Sequence, residues 1–469
     1  MDKISDTKMA VIKKTVTFLI AVLTILACVL PMDDLPLWNG EIPGHRNQYE
    51  LMAEAILDGR IHFAYGDEDS LAGLKNPYDP NERKEAGVKY HWDHAYYNGQ
   101  YYMYFGIVPV FLAFLPYRVI TGTALTTYRA TQLFTAVTVA GIFCLFWMLR
   151  KLFFKKLPFG LYLALSVAFS VMSVWYAAAE PALYCTAITA AIALETWSIF
   201  FFVWAVYGEK RENRQILLAG IGALLGALVF GCRPPIALAN LVVLPLLFVF
   251  LKEHAFSRKL LGKLALAATP YLLVAVCLMT YNYVRFDDPF EFGQAYQLTV
   301  ADQSNYSLSL NGQQLLRILT ETGNNFFAYQ STTSAFPYLR TCSVFFNFPA
   351  LFLFIVALFP PVRDRAKETK LWPFLLGLIV AVLAITAIDV LWSPYLLERY
   401  RMDIYFLMGI LCFPALGMWY GESKKKKTLS GVLYALSAIT VVSAFLLYVR
   451  TVGVYYPEKV TEIAKMFGL

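Results

Sequence analysis

Charge is scarce in this sequence. Asp, Glu, Lys and Arg make up 16% of its 469 residues, where a soluble chain carries about 25%. That shortage excludes a disordered protein and an ordinary cytosolic enzyme. Cysteine is sparse as well. There are seven, none in a Cys-x-x-Cys pair, so neither a disulfide scaffold nor a zinc site is indicated. Cys28, Cys144, Cys185, Cys232, Cys277 and Cys412 lie in or at the ends of apolar runs, where a thiol acts as a small hydrophobe. No Gly-x-x-x-x-Gly-Lys-Ser/Thr loop is present to cradle a nucleotide. There is no low-complexity tract, no short-period repeat and no soluble second domain.

What is there is hydrophobic. Apolar residues reach 58% and the mean hydropathy is +0.53. A membrane span needs about 20 apolar residues. The apolar runs fall at 15–30, 103–120, 127–149, 158–178, 181–206, 215–232, 235–251, 264–283, 341–360, 371–391, 403–420 and 429–449. The expected fold is an all-α polytopic membrane protein of eleven to thirteen spans, a single transmembrane domain over 1–469. Two long loops interrupt it, at 32–102 and 284–340.

The net charge of +7 does not point to nucleic acid, because the Lys and Arg residues gather in short loops between apolar runs. That is the positive-inside pattern. Lys3, Lys8, Lys13 and Lys14 precede the first run, which reads as an uncleaved helix with a cytoplasmic N-terminus. The clusters at 210–214, 252–263, 363–370 and 424–427 then belong inside, and both long loops outside. One cluster conflicts. Arg150, Lys151, Lys155 and Lys156 should also be inside, yet full crossings at 103–120 and 127–149 would put them outside. One of those two runs is therefore expected to be re-entrant or half-length, unless the cluster breaks the rule.

The first loop is rich in signals. Tyr49 to Leu57 reads as a short amphipathic helix that Gly59 stops, suited to lying beside the membrane. Asn76-Pro77-Tyr78-Asp79-Pro80 is a turn. An aromatic stretch follows from His91 to Phe105 and includes Trp92. It is either an interfacial belt or a sugar-stacking surface. His91, Asp93 and His94 are a candidate metal set, although three residues so close in sequence seldom all bind one ion. Asp93 is more plausible as a hydrogen-bonding or general-base carboxylate.

Several charges sit where charge is unexpected. Arg285 ends a span, facing either a phosphate or its neighbours Asp287 and Asp288. Arg399 and Arg401 lie outside, flanked by Glu398 and Asp403, which are positioned to neutralise them. Arg233, Glu195 and Asp389 lie in or at the ends of apolar runs. Ionisable groups at such depth normally face protein or a water-filled cavity.

The plan of a first span, a long outer loop with surface helices and many further spans resembles bacterial polytopic glycosyltransferases of the GT-C class. This broad group includes protein mannosyltransferases and lipid A aminoarabinose transferases. The likeness is most specific at Tyr49 to Gly59, at Asn76 to Pro80 followed by Trp92-Asp93, Tyr101 to Gly106 and Pro109, and at Tyr281 to Gly293 with Arg399-Tyr400 and Asp403. The resemblance implies transfer of a sugar from a polyprenyl-phosphate donor to an envelope glycan or lipid acceptor, at the outer face of a bacterial cell membrane. It implies a carboxylate base, with Glu41, Asp34 and Asp93 as candidates in that order. It also implies cations for the phosphate, with Arg233, Arg285, Arg399, Arg401 and Arg46 as candidates, and His45 and Trp92 beside the substrate. The resemblance names no definite cofactor, and a divalent cation is compatible with it. The chain departs from the class at Gly44-His45-Arg46-Asn47-Gln48, where a carboxylate is expected before the helix tyrosine and none stands. Two other readings remain: a transporter or flippase of lipid-linked sugars, and a non-catalytic envelope assembly protein.

Overall fold

The computed structural model describes residues 2–32, 47–181, 183–304, 311–329, 333, 336–393, 396–466 and 468. Among them, ten helices are long and apolar enough to cross a membrane. In chain order with the helices between them, the elements are α1 (Asp2–Val29), α2 (Gln48–Leu57), α3 (Pro80–Ala86) and α4 (Val110–Thr121). Then come α5 (Thr127–Leu152), α6 (Phe159–Ala179), α7 (Leu183–Gly208), α8 (Glu212–Phe230), α9 (Pro234–Glu253) and α10 (Arg258–Phe286). The chain closes with α11 (Gly312–Phe327), α12 (Pro360–Glu368), α13 (Trp372–Trp392), α14 (Glu398–Glu422), α15 (Lys426–Val454) and α16 (Pro457–Met466). Helices pair every backbone group within the span itself, which a spanning segment needs because lipid offers nothing to an unpaired backbone group.

Two of the apolar runs form no helix of spanning length. Within 103–120, Met103 ends β2 and 104–107 are irregular around Gly106, so the helix that becomes α4 starts only at Val108-Pro109. Its 12 residues reach about 18 Å against a hydrocarbon core of about 30 Å. With α4 not crossing, the basic residues after α5 fall at the same end of the bundle as the other clusters. Contacts agree. Lys263 pairs with Glu212, Lys370 Nζ lies 2.6 Å from Glu253, and the Tyr207 hydroxyl donates to the Lys370 carbonyl at 2.8 Å. Tyr207 also packs edge-on to Phe153, 5.3 Å away. The other short run, 341–360, contains a 3-10 segment at Pro349–Leu358 held against α14.

α14 is the buried centre of the bundle, and α10 lies at its edge, packed on α8. Close approach at the centre comes from stacking and small residues. Phe146 stacks on Phe413 with centroids 4.0 Å apart, and Gly409 meets the Phe169 side chain.

From residue 47 onward the first loop is folded and packed. Asn47 caps α2, its side chain accepting the Glu50 N–H at 3.1 Å. The expected membrane-surface helix instead buries Tyr49, Met52 and Ala53 against α4, with Tyr49 stacked on Phe114 at 5.0 Å. Glu50 is buried too. It pairs with Arg118 of α4 and accepts the Leu125 N–H at 3.1 Å. Strands β1 (His94–Tyr97) and β2 (Gln100–Met103) form an antiparallel hairpin. Its turn, Asn98-Gly99, has positive φ at both residues, the type I′ geometry that matches strand twist.

Arg118→Ala would strand the buried Glu50 carboxylate. We expect a loss of about 3–5 kcal/mol, read as a lower unfolding temperature in detergent and faster proteolysis between α2 and α5. Replacing both partners with apolar residues should recover most of it, because no unpaired charge is then left inside.

Candidate functional site

Five segments distant in sequence meet at the end of the bundle opposite the basic clusters. They are the first loop around Asp93 and Tyr104, the start of α7 at Tyr184, and the α8–α9 corner at Arg233. The end of α10 at Arg285 and the facing ends of α13 and α14 complete the set. They enclose a cavity of about 340 Å³ whose lining includes Trp92, Asp93, Tyr104, Tyr184, Arg233, Arg285, Asp389, Trp392, Arg399 and Tyr400. The second loop contributes Gln294, Gln297, Thr299 and Gln303.

Asp93 knits these segments together. Its φ is +55°, a left-handed conformation that Asp tolerates better than most residues. Its N–H donates to the Leu298 carbonyl at 2.9 Å, and its carbonyl accepts from Gln48 Nε2 at 3.1 Å. Of its carboxylate oxygens, Oδ1 accepts from Gln297 Nε2 at 2.9 Å and Oδ2 accepts from the Tyr184 hydroxyl. Burial pushes this carboxyl above the usual range, opposed by the Tyr184 hydrogen bond and by Arg399. Arg399 lies over the Tyr184 ring, 4.2 Å from its centroid.

The three arginines are held differently. Arg233 donates from Nε and Nη2 to the same Asp403 oxygen, each at 2.7 Å. Burial opposes its charge, but Asp403 and Asp389 outweigh this and hold it firmly protonated. The α8–α9 corner exists because Pro234 and Pro235 cannot continue α8 but suit the first turn of α9. Arg285 is buried to 4% exposure, donating to the Met103 carbonyl at 2.8 Å and to Asn282 Oδ1 at 2.7 Å. It pairs with neither Asp287 nor Asp288. Asp287 accepts from the Tyr97 hydroxyl at 3.2 Å, and Asp288 accepts the Phe290 N–H at 2.8 Å. Among the described residues, neither Arg285 nor Arg399 has a carboxylate within ion-pair distance. A buried arginine with no acid beside it leaves the cavity ready for an anion.

Of the residues singled out in the sequence, Trp92, Asp93, Arg233, Arg285 and Arg399 meet at this cavity. Arg401 does not line it; its Nε donates to Asn325 Oδ1 at 3.0 Å. Asp34, Glu41, His45 and Arg46 lie outside the described residues. The candidate metal set shares no centre: the His91 and His94 rings lie 5.5 Å apart, but the Asp93 oxygens accept from Gln297 and Tyr184 instead. His91 faces Asp67 at 3.0 Å, while His94 meets the Trp92 carbonyl at 2.8 Å and the Tyr65 hydroxyl at 2.7 Å. Burial lowers the His94 imidazole to about 3, so it is neutral near pH 7. No group of three His, Cys, Asp or Glu suited to a metal occurs among the described residues. Glu195 lies apart from the cavity in α7, accepting from Asn240 Nδ2 at 3.2 Å.

Sequence reasoning missed Tyr184, Gln297 and the hairpin. The Asn98-Gly99 pair between aromatic runs was a usable hairpin signal; Tyr184 and Gln297 carry none. Gly106 also lines the site, because its backbone approaches the carbonyls of Gly231 and Cys232 too closely for a Cβ. Gly106→Ala should therefore push the first loop off the α8–α9 corner. We expect a loss of about 1–3 kcal/mol, measured by thermal unfolding in detergent.

Fold and site together define a polytopic helical membrane protein with a cation-lined cavity roofed by its first loop. No family model and no curated protein matches the chain. Solved structures similar to it include ArnT from Cupriavidus metallidurans bound to undecaprenyl phosphate, at 12% identity and a TM-score of 0.45, covering 93% of this chain and 75% of that one. Another is the archaeal oligosaccharyltransferase AglB from Archaeoglobus fulgidus in complex with an inhibitory peptide and a dolichol-phosphate, at 14% identity and a TM-score of 0.47, covering 94% of this chain and 56% of that one. A third is the Archaeoglobus fulgidus oligosaccharyltransferase in the apo form, at 12% identity and a TM-score of 0.44, with coverages of 94% and 56%.

Proposed function

We propose that this protein is a membrane glycosyltransferase of GT-C type that transfers a sugar from a polyprenyl-phosphate donor to a hydroxyl of an envelope glycan or lipid. The observation that carries the reading is the convergence of Arg233, Arg285 and Arg399 on one cavity, two of them without an acid partner. Sidedness follows from charge. The basic ends of the helices face the cytoplasm, and the cavity and both long loops face out. The lipid tail would lie between helices, with its phosphate at the cavity.

The chemistry needs few parts. The acceptor oxygen attacks the anomeric carbon, the bond from that carbon to the phosphate oxygen breaks, and the lipid phosphate leaves as an anion. Arg285 and Arg399 stabilise that charge in a partly dehydrated site. A carboxylate takes the acceptor proton. Of the three named from the sequence, Asp93 lies at the cavity, and Asp34 and Glu41 belong to the stretch just before α2.

The test is transfer by the purified protein from labelled polyprenyl-phosphate sugars in detergent. Sugar should pass to acceptor lipid or glycan with at least one donor. No transfer from any donor would favour the flippase or assembly readings. Against a flippase, the ionisable groups of the cavity sit at helix ends beneath the first loop. Transporter sites gather near the bilayer midplane.

A further inference from the structure

The proton acceptor can be assigned more closely, resting on the transferase reading above. A general base needs lone pairs that reach the substrate. Asp93 fits this poorly. Both of its oxygens already accept, and its backbone joins three segments. It is better built to hold the cavity together than to move a proton.

Asp389 is different. It lies one turn from the end of α13 and lines the same cavity beside Trp392. It is 4% exposed, and its carboxylate makes no hydrogen bond or ion pair with any described residue. Its electrostatic neighbours are Arg233 and Asp403. Those two are already committed to each other, since both Arg233 nitrogens converge on one Asp403 oxygen. A buried carboxylate costs several kcal/mol unless something engages it. Here the cavity itself is what it faces. The unpaired arginines Arg285 and Arg399 lie on other elements, α10 and the start of α14.

We propose that Asp389 is the catalytic base. The acceptor O–H proton passes to the Asp389 carboxylate as the new carbon–oxygen bond forms. The carbon–oxygen bond to phosphate breaks, and its electron pair leaves with the lipid phosphate. Asp389 then returns the proton to water. Asp93 is a positioning residue that acts through Tyr184 and the second loop.

The experiment uses the full-length protein in detergent with a donor on which the native chain is active. Asp389→Asn should lower kcat by about 100-fold or more while polyprenyl phosphate binds within about threefold of the native affinity. Asp389→Glu should restore part of the rate, and formate should rescue Asp389→Ala, because a small acid can occupy the vacated space. Asp93→Asn should instead raise KM and weaken binding, with no formate rescue. The assignment is overturned if Asp389→Asn keeps more than a tenth of native kcat. It is equally overturned if polyprenyl phosphate binding falls in step with the rate, or if formate rescues only Asp93→Ala. A native protein that transfers from no donor would sink the transferase reading itself, and the assignment with it.

Discussion

An Arg233→Ala protein should be both unstable and unable to hold the donor. The guanidinium makes two contacts of 2.7 Å to one oxygen of Asp403, which is fully buried. The other Asp403 oxygen has no partner among the described residues. Removing the arginine leaves a buried carboxylate with no cation, which costs about 3–5 kcal/mol. Asp389, close by, loses its nearest positive charge at the same time. The expected result is a much lower unfolding temperature in detergent. The paired change Arg233→Met with Asp403→Leu removes both charges and should restore much of the unfolding temperature, less the share due to Asp389. It should not restore transfer, because the cavity then lacks one cation and the partner that orients it. A double variant that transfers at the native rate would show the pair to be structural only.

The second large effect is expected for Arg285→Gln and Arg399→Gln. Neither side chain has an acid to strand, so both variants should fold. A hydrogen bond to a charged group contributes about 1.5–3 kcal/mol. Each change should therefore weaken polyprenyl phosphate binding roughly 10- to 100-fold. The two losses will not simply add if both arginines grip one phosphate. Arg401→Gln is the internal control. Its guanidinium faces Asn325 away from the cavity, so binding should stay near native. Equal losses in all three variants would point to a general surface potential.

The sequence exposed the architecture through hydropathy and through the placement of Lys and Arg, both strong local signals. It marked Arg233 as displaced but could not show that Asp403, 170 positions away, would hold it. Arg399 and Arg401 looked equivalent. They are two apart on a 3-10 turn at Glu398–Arg401, where each residue rotates by about 120°, so they face different partners. The run at 103–120 looked like a span because a hydropathy window averages over Gly106 and Pro109. The irregular stretch at 104–107, with Gly106 in it, lines the cavity and leaves α4 too short to cross. The proposed base was hardest to read. Asp93 sits in a conspicuous aromatic stretch, while Asp389 is one acid at the end of an apolar run. Only the packing reveals which carboxylate is already engaged.

Photocrosslinking with a polyprenyl phosphate carrying a diazirine beside the phosphate tests the cavity most directly. Label should concentrate on 278–299 and 389–405 with the hairpin, and it should fall sharply in the Arg285→Gln/Arg399→Gln protein. Label spread along α1 and along residues 258–277 of α10, unchanged by those substitutions, would contradict a headgroup site at this cavity.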